Sequence, residues 1–231
     1  CLTEPSAGSD VGDLLSKAYP TDQPGIYKLK GQKIFITCGD RDDVENIIHL
    51  YLARVEGAAP GTKGLSLFIM PKYWVNEDGT LEDNDVQCAG VEHKLGLKGS
   101  ATAQLVVGEN DRCRGWLLGN PPDENGIGEG IKLMFHMMNE ARLDTGRLST
   151  AVAANAYWNA VAYGRERVQG RPMTNPKEGR VTINKHEDVK RMYLMNKATT
   201  EACRALLAKG YYYEDIRHWS PDPERRKWAQ S

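Results

Sequence analysis

The stretch GNPPDENGIGEGI, Gly119 to Ile131, decides the fold, because the chain is patterned differently on its two sides. Its prolines and glycines interrupt regular structure and mark a boundary or hinge. Upstream, short β-rich runs alternate with turn signals. GIYKLKGQKIFITCG (Gly25–Gly39) holds the runs IYKLK and KIFIT, and the turn-prone pair Gly31–Gln32 between them predicts a hairpin. IIHLYLARV (Ile47–Val55) and LSLFIMPK (Leu65–Lys72) follow, separated by the Gly/Pro-rich connection EGAAPGTKG. VQCAGVEHKLGLKGSATAQLVVG continues the strand-and-turn pattern, with Gly96 and Gly99 read as turn glycines. An all-β module of this kind folds as a barrel or a sandwich.

Downstream the period changes. IKLMFHMMNEARLDTGRLSTAVAANAYWNAVAYGRERVQG carries almost no breakers, and its apolar residues recur at helical spacing. Leu133, Met137, Ala141, Leu148, Ala151, Ala154 and Trp158 predict one broad apolar face on a long helix. RPMTNPKEGR breaks it, and Glu187 and Asp188, acids suited to a helix N-terminus, open a second helix. The tail SPDPERRKWAQS is polar and Pro-interrupted, without a closing element. Two striped helices do not complete a bundle. Partner helices are therefore expected from further chain or another subunit, and the sequence is expected to be a piece cut at both ends.

Composition narrows the function. The 231 residues are 40% hydrophobic and 26% charged, with a net charge of -1. That balance gives no electrostatic footprint for nucleic acid or an anionic membrane. Apolar runs such as Leu65–Met70 are too short to span a bilayer. The five cysteines, Cys1, Cys38, Cys88, Cys113 and Cys203, are odd in number and form no CxxC pair. Reduced thiols in an intracellular protein are expected, in the cytoplasm or the mitochondrial matrix. His93, His136, His186 and His218 show no metal spacing, so no metal site is expected.

The opening CLTEPSAGSD (Cys1–Asp10) cannot be a core strand, since Pro5 lacks an N–H and Gly8 weakens regular structure. It reads either as a solvated turn or as a loop whose free N–H groups and hydroxyls cradle a polar ligand.

Taken in order, these segments resemble the flavin-dependent acyl-CoA dehydrogenases. CLTEPSAGSD resembles that family's flavin-contacting TEPxAGSD loop, and YKLKGQKIFIT its Y-x-L-x-G-x-K-x-(W/F)-I-T signature. LFIMPK, KLGLKGSATAQL, GEGI and NEARL…RERVQG follow in the family's order. NEARL with YGRERVQGRP, where Gln-Gly replaces the Phe-Gly of many members, is most similar to the 3-methylmercaptopropionyl-CoA dehydrogenase-like subgroup.

The resemblance implies an α+β multidomain fold. Residues 1–118 would form the middle β-barrel domain, which binds flavin and acyl-CoA. Residues 126–231 would start an antiparallel helical bundle that is incomplete here. It further implies FAD as cofactor, α,β-desaturation of an acyl-CoA thioester with hydride transfer to flavin N5, and an electron-transfer flavoprotein as acceptor. A homotetramer built as a dimer of dimers is expected. The rival readings are an acyl-CoA oxidase and a flavin-bearing nucleic-acid-binding relative of the alkylation-response type; the second needs a basic surface that the net charge does not suggest.

Flavin reduction needs donors at the pyrimidine edge and at N5. The resemblance carries that role onto Leu2, Thr3, Gly8 and Ser9, and onto Phe35, Ile36 and Thr37. In that assignment Phe35 covers a flavin face and Thr37 bonds near N5; strand packing is the competing reading of Phe35 and Ile36. Ser9 would also contact acyl-CoA, and Asn139 and Arg142 would face the CoA moiety. Arg167 would reach the FAD diphosphate of a neighbouring subunit, with Gln169 beside it, while Gly170 supplies no ring for stacking. No catalytic base is expected among these residues. The family's Glu positions match Ala141 or a site after residue 231, and the weak alternative Glu140 is rotated by about 100° from position 141.

Overall fold

The computed structural model describes residues 1–230. Nine strands come first: β1 (Lys17–Pro20), β2 (Ile26–Thr37), β3 (Ile48–Val55), β4 (Leu65–Pro71), β5 (Tyr73–Val75), β6 (Leu81–Asp83), β7 (Val86–Val91), β8 (Thr102–Val107) and β9 (Arg114–Leu118). Helices follow: α1 (Gly130–Glu166), α2 (Glu187–Trp219) and α3 (Pro223–Gln230). This is the α+β order that the patterning predicts. Among the described residues no helix is long and apolar enough to cross a membrane. The chain forms two compact units, Cys1–Met137 and Met138–Ser231.

In the first unit one sheet runs in the order β1-β3-β4-β9-β2-β8-β7, and β1 pairs with β2 as well as with β3. β3 and β4 lie inside it and are buried on both faces, which is why their sequences are nearly continuous apolar runs rather than alternating ones. Tyr27, Leu29, Tyr51, Phe68, Met70, Leu105 and Val107 fill the core. Tyr27 meets Phe68 edge-on, with ring centroids 5.3 Å apart. Each such side chain contributes about 1.5–3 kcal/mol by leaving water.

One sequence expectation fails in this unit. The predicted hairpin at Gly31–Gln32 does not form: β2 is one strand of 12 residues. Gly31 is required by a close approach instead, since a Cβ there would lie 2.3 Å from Ser16 Oγ and 2.9 Å from Ser16 Cα. Gly96 and Gly99 lie in the turns between β7 and β8, as expected, though neither is left-handed; Leu97 between them is, at φ 51°. The Gly119–Ile131 stretch, read as a boundary or hinge, separates the strands from α1 and is itself pinned to the sheet unit. Gly126 O accepts from Ala59 N at 3.0 Å, Gly128 N donates to Lys63 O at 2.8 Å, and a Cβ at Gly128 or Gly130 would lie 2.6 Å from Leu65 O.

In the second unit α1 and α2 pack antiparallel through small residues. Gly146 faces Leu207, Gly210 faces Leu143, and Gly164 sits under the Tyr193 ring, whose hydroxyl donates to Ala160 O at 2.8 Å. The predicted apolar face is therefore not the one α2 covers: Ala154 is buried, but Leu148 and Trp158 are 60% and 61% exposed. The tail does close with an element, α3, whose Trp228 meets Tyr213 edge-on at 5.2 Å.

Candidate functional site

The site begins where β2 is interrupted. Lys33 pairs with Leu105 and Ile36 with Ala103 on β8, so β2 carries one more residue than its partner across this step. The result is a bulge. Phe35 absorbs it at φ 58°, a conformation costing a non-glycine residue about 1–3 kcal/mol. The bulge turns the Phe35 ring out of the sheet, leaving it 58% exposed, while Ile36 packs against the core. Strand packing therefore describes Ile36 but not Phe35. Beyond it Thr37 is exposed, and Cys38, at φ 51°, ends the strand by donating to Ala101 O at 2.7 Å.

The N-terminal loop lies against this bulge. Ile34 N donates to Thr3 O at 2.9 Å, and Lys33 Nζ donates to Leu2 O at 3.2 Å. Leu2 and Thr3 thus engage β2 through their carbonyls, while their N–H groups donate to no acceptor among the described residues. Glu4 and Ala7 then bridge each other at 2.9 and 3.2 Å, which turns the chain and presents Gly8 and Ser9 to solvent. Their N–H groups, and the hydroxyls of Thr3, Ser9 and Thr37, make no hydrogen bond among the described residues. Leu2, Thr3, Phe35, Ile36 and Thr37 are brought together; no hydrogen bond joins Gly8 or Ser9 to β2.

Beneath the loop is a pair that the sequence reading did not single out. Glu4 and Lys33 are buried, with Oε1 and Nζ 2.7 Å apart. Lys33 uses its remaining donors on Leu2 O and on Leu52 O at 2.9 Å, so its ammonium is fully satisfied. Glu4 also accepts from Leu15 N at 2.6 Å and Ser16 N at 3.2 Å. Burial opposes ionisation of Glu4, but the Lys33 charge and the hydrogen bonds from Lys33, Ser16 and Leu15 hold its pKa below the ordinary 4.5. Burial draws Lys33 down to about 8, against the upward pull of Glu4. The available signal was strand parity: Tyr27, Leu29 and Lys33 share one face of β2, so a lysine stands in a core row.

The remaining candidates lie in the second unit. On α1, Asn139 is half-buried, and Glu140 and Arg142 are exposed. Glu140 lines a cleft of about 310 Å³ with Asp144, Tyr211, Glu214, Asp215 and His218. After α1, Gln169 N donates to Val181 O at 2.9 Å and Ile183 N to Arg167 O at 2.8 Å. Arg167 is exposed, its guanidinium donating one long hydrogen bond, 3.4 Å, to Gln169 Oε1. His186, which spacing left without a role, anchors this turn through Nε2 to Gln169 O at 2.7 Å. Gly170, at φ 74°, leaves room for the His186 ring, which a Cβ would meet at 3.3 Å. Among the described residues no cluster of His, Cys, Asp and Glu is placed to hold a metal ion.

A β unit that sets unpaired N–H groups beside an outward aromatic, followed by long antiparallel helices, makes this an α+β protein. Residues 1–109 match the family described as "Acyl-CoA dehydrogenase, middle domain". Butyryl-CoA dehydrogenase from Syntrophomonas wolfei is 52% identical over 231 residues, covering 100% of this chain and 38% of the relative. 3-Methylmercaptopropionyl-CoA dehydrogenase from Ruegeria pomeroyi is 43% identical, covering 100% of this chain and 37% of the relative. The solved butyryl-CoA dehydrogenase from Megasphaera elsdenii superposes with a TM-score of 0.68 at 28% identity, covering 90% of this chain and 47% of that one. The chain belongs to the acyl-CoA dehydrogenase family. It spans 38% and 37% of the length of the two curated relatives.

Proposed function

We propose that this chain is the middle and early C-terminal part of an FAD-dependent acyl-CoA dehydrogenase, with residues 1–118 and 126–231 as its two domains. The observation that carries the reading is the Phe35 bulge set beside a loop of unpaired N–H groups. The donor set fits a flavin: neutral N–H and O–H groups at Leu2, Thr3, Gly8, Ser9 and Thr37 stabilise developing negative charge without adding titratable groups. The outward Phe35 ring offers an apolar plane to one face. When bound, FAD supplies the two-electron acceptor for α,β-desaturation of an acyl-CoA thioester.

This chain's own residues bind and orient. Ser9 contacts the acyl-CoA where the two ligands meet, and Asn139 and Arg142 serve the CoA moiety. Arg167, with a planar donor fork left largely uncommitted, suits a diphosphate in a neighbouring subunit, with Gln169 beside it. That role requires at least a dimer, and a dimer of dimers is the proposed assembly. The base is a carboxylate outside these residues, because Glu140, exposed on α1, is rotated by about 100° from position 141. Electrons leave to an electron-transfer flavoprotein. A short straight-chain thioester is the first substrate to try, given the name of the 52% identical relative.

The test is anaerobic addition of butyryl-CoA to the full-length flavin-loaded protein. Bleaching of the flavin absorbance is expected. A spectrum unchanged by butyryl-CoA and by longer straight-chain acyl-CoAs contradicts the reading.

A further inference from the structure

Four backbone groups from three segments of the first unit bind the buried Glu4–Lys33 pair. Lys33 lies on β2, one residue before the N–H that holds Thr3 and two before Phe35. Its other contacts are Leu2 O in the loop and Leu52 O in β3. Glu4 binds the N–H groups of Leu15 and Ser16, which precede β1, and Ser16 Oγ in turn accepts from the Tyr51 hydroxyl at 2.8 Å. The side chains of Lys33 and Glu4 are 0% and 3% exposed. Their charges therefore face no solvent and no ligand, and they cannot be contact residues. Replacing a buried ion pair with apolar residues of similar volume is often neutral or stabilising, so stability alone does not account for this one. What it adds, beside the Ile34–Thr3 bond and the bonds of Cys1 to Leu50 O and Leu52 N on β3, is a side-chain tie between the segment carrying Leu2 and Thr3 and the strand carrying Phe35 and Thr37.

We infer that Glu4 and Lys33 are a positioning pair, which sets the register of the Cys1–Asp10 loop against the β2 bulge and so aligns the two donor groups of the site. This inference rests on the proposed flavin site for its functional consequence, and on the hydrogen bonds alone for its structural one. Without the pair, Leu2 O and the Leu15 and Ser16 N–H groups lose their partners, and only the Ile34–Thr3 bond keeps the loop on β2.

The experiment uses the full-length protein and the double variant Glu4→Met/Lys33→Met, which removes both charges while keeping the volume. Native-state hydrogen exchange at the Ile34 amide, FAD affinity and the midpoint potential of bound flavin are measured beside the thermal midpoint. Expected are faster exchange at Ile34 with core amides such as Leu105 unchanged, FAD binding weakened by about tenfold, and a more negative potential as donors to the reduced flavin fall out of line. Wild-type exchange at Ile34 together with wild-type FAD affinity and potential overturns the inference. If the double variant does not fold, Glu4→Gln is read by the same criteria. If the wild-type protein binds no FAD, the flavin reading fails by itself, and exchange at Ile34 still decides whether the pair holds the loop.

Discussion

Gly31→Ala tests why β2 is a single strand. The added Cβ would lie 2.3 Å from Ser16 Oγ and 2.9 Å from both Ser16 Cα and Cβ. Ser16 cannot step aside: it is 1% exposed, its N–H is bound to Glu4, its Oγ accepts from Tyr51, and its carbonyl accepts from Arg54 N at 3.0 Å. Forcing a methyl into such a contact costs about 1–3 kcal/mol. The backbone at φ 155° adds about 1 kcal/mol for losing a glycine-favoured conformation. At about 2–4 °C per kcal/mol, a total of about 2–4 kcal/mol lowers the thermal midpoint by roughly 4–16 °C. Differential scanning fluorimetry of the full-length protein reads this against Gly96→Ala, where a Cβ meets nothing within 4 Å and the change should stay within about 0.5 kcal/mol. A Gly31→Ala protein as stable as the Gly96→Ala control refutes the close-approach account and returns Gly31 to the role of a permissive turn residue.

Asn84 is 0% exposed; it donates to Pro71 O and Arg114 O at 2.7 and 2.8 Å and accepts from Arg114 N at 2.9 Å, so Asn84→Ala should cost about 2–4 kcal/mol in urea unfolding. Glu4 has its pKa depressed in the folded protein, so its contribution to stability is present above the usual carboxyl pKa and is lost as pH falls through the folded value; Glu4→Gln should flatten the acid limb of the stability–pH curve, and an unchanged limb contradicts the pairing. Burial pushes the Cys113 thiol far up, so a thiol reagent should modify exposed Cys38 in the native protein and reach Cys113 only on unfolding. Glu140→Gln should keep turnover within about twofold of wild type; a loss of about three orders of magnitude with flavin still bound would identify Glu140 as the base.

Much of the fold was legible because periodicity is a local property. The strand-to-helix change at Gly119–Ile131 and the acidic start of α2 at Glu187 both stand in the structure. What failed depended on partners distant in sequence. Gly31 looks like a turn until Ser16, 15 residues earlier, is placed against it. The α1 stripe was chosen by hydrophobicity, whereas α2 selects the small residues Gly146 and Gly164, which let Leu207 and Tyr193 approach. Among site residues, Phe35 and Thr37 were legible through their motif, but the bulge that turns Phe35 outward was not, because a bulge is a mismatch between two strands. Glu4 and Lys33 were visible as letters in their motifs and invisible as a pair, since nothing local says that residues 29 positions apart share a buried hydrogen bond.

In the proposed site the Cys1–Asp10 loop and the Phe35–Thr37 bulge form the flavin surface. FAD titration of full-length apoprotein, wild type beside Thr37→Ala, tests it most directly. The wild type should bind FAD, and Thr37→Ala, losing one neutral hydrogen bond worth about 0.5–1.5 kcal/mol, should bind it roughly two- to tenfold more weakly with an unchanged thermal midpoint. A wild-type protein that gains no flavin, or a Thr37→Ala protein with wild-type affinity, contradicts it.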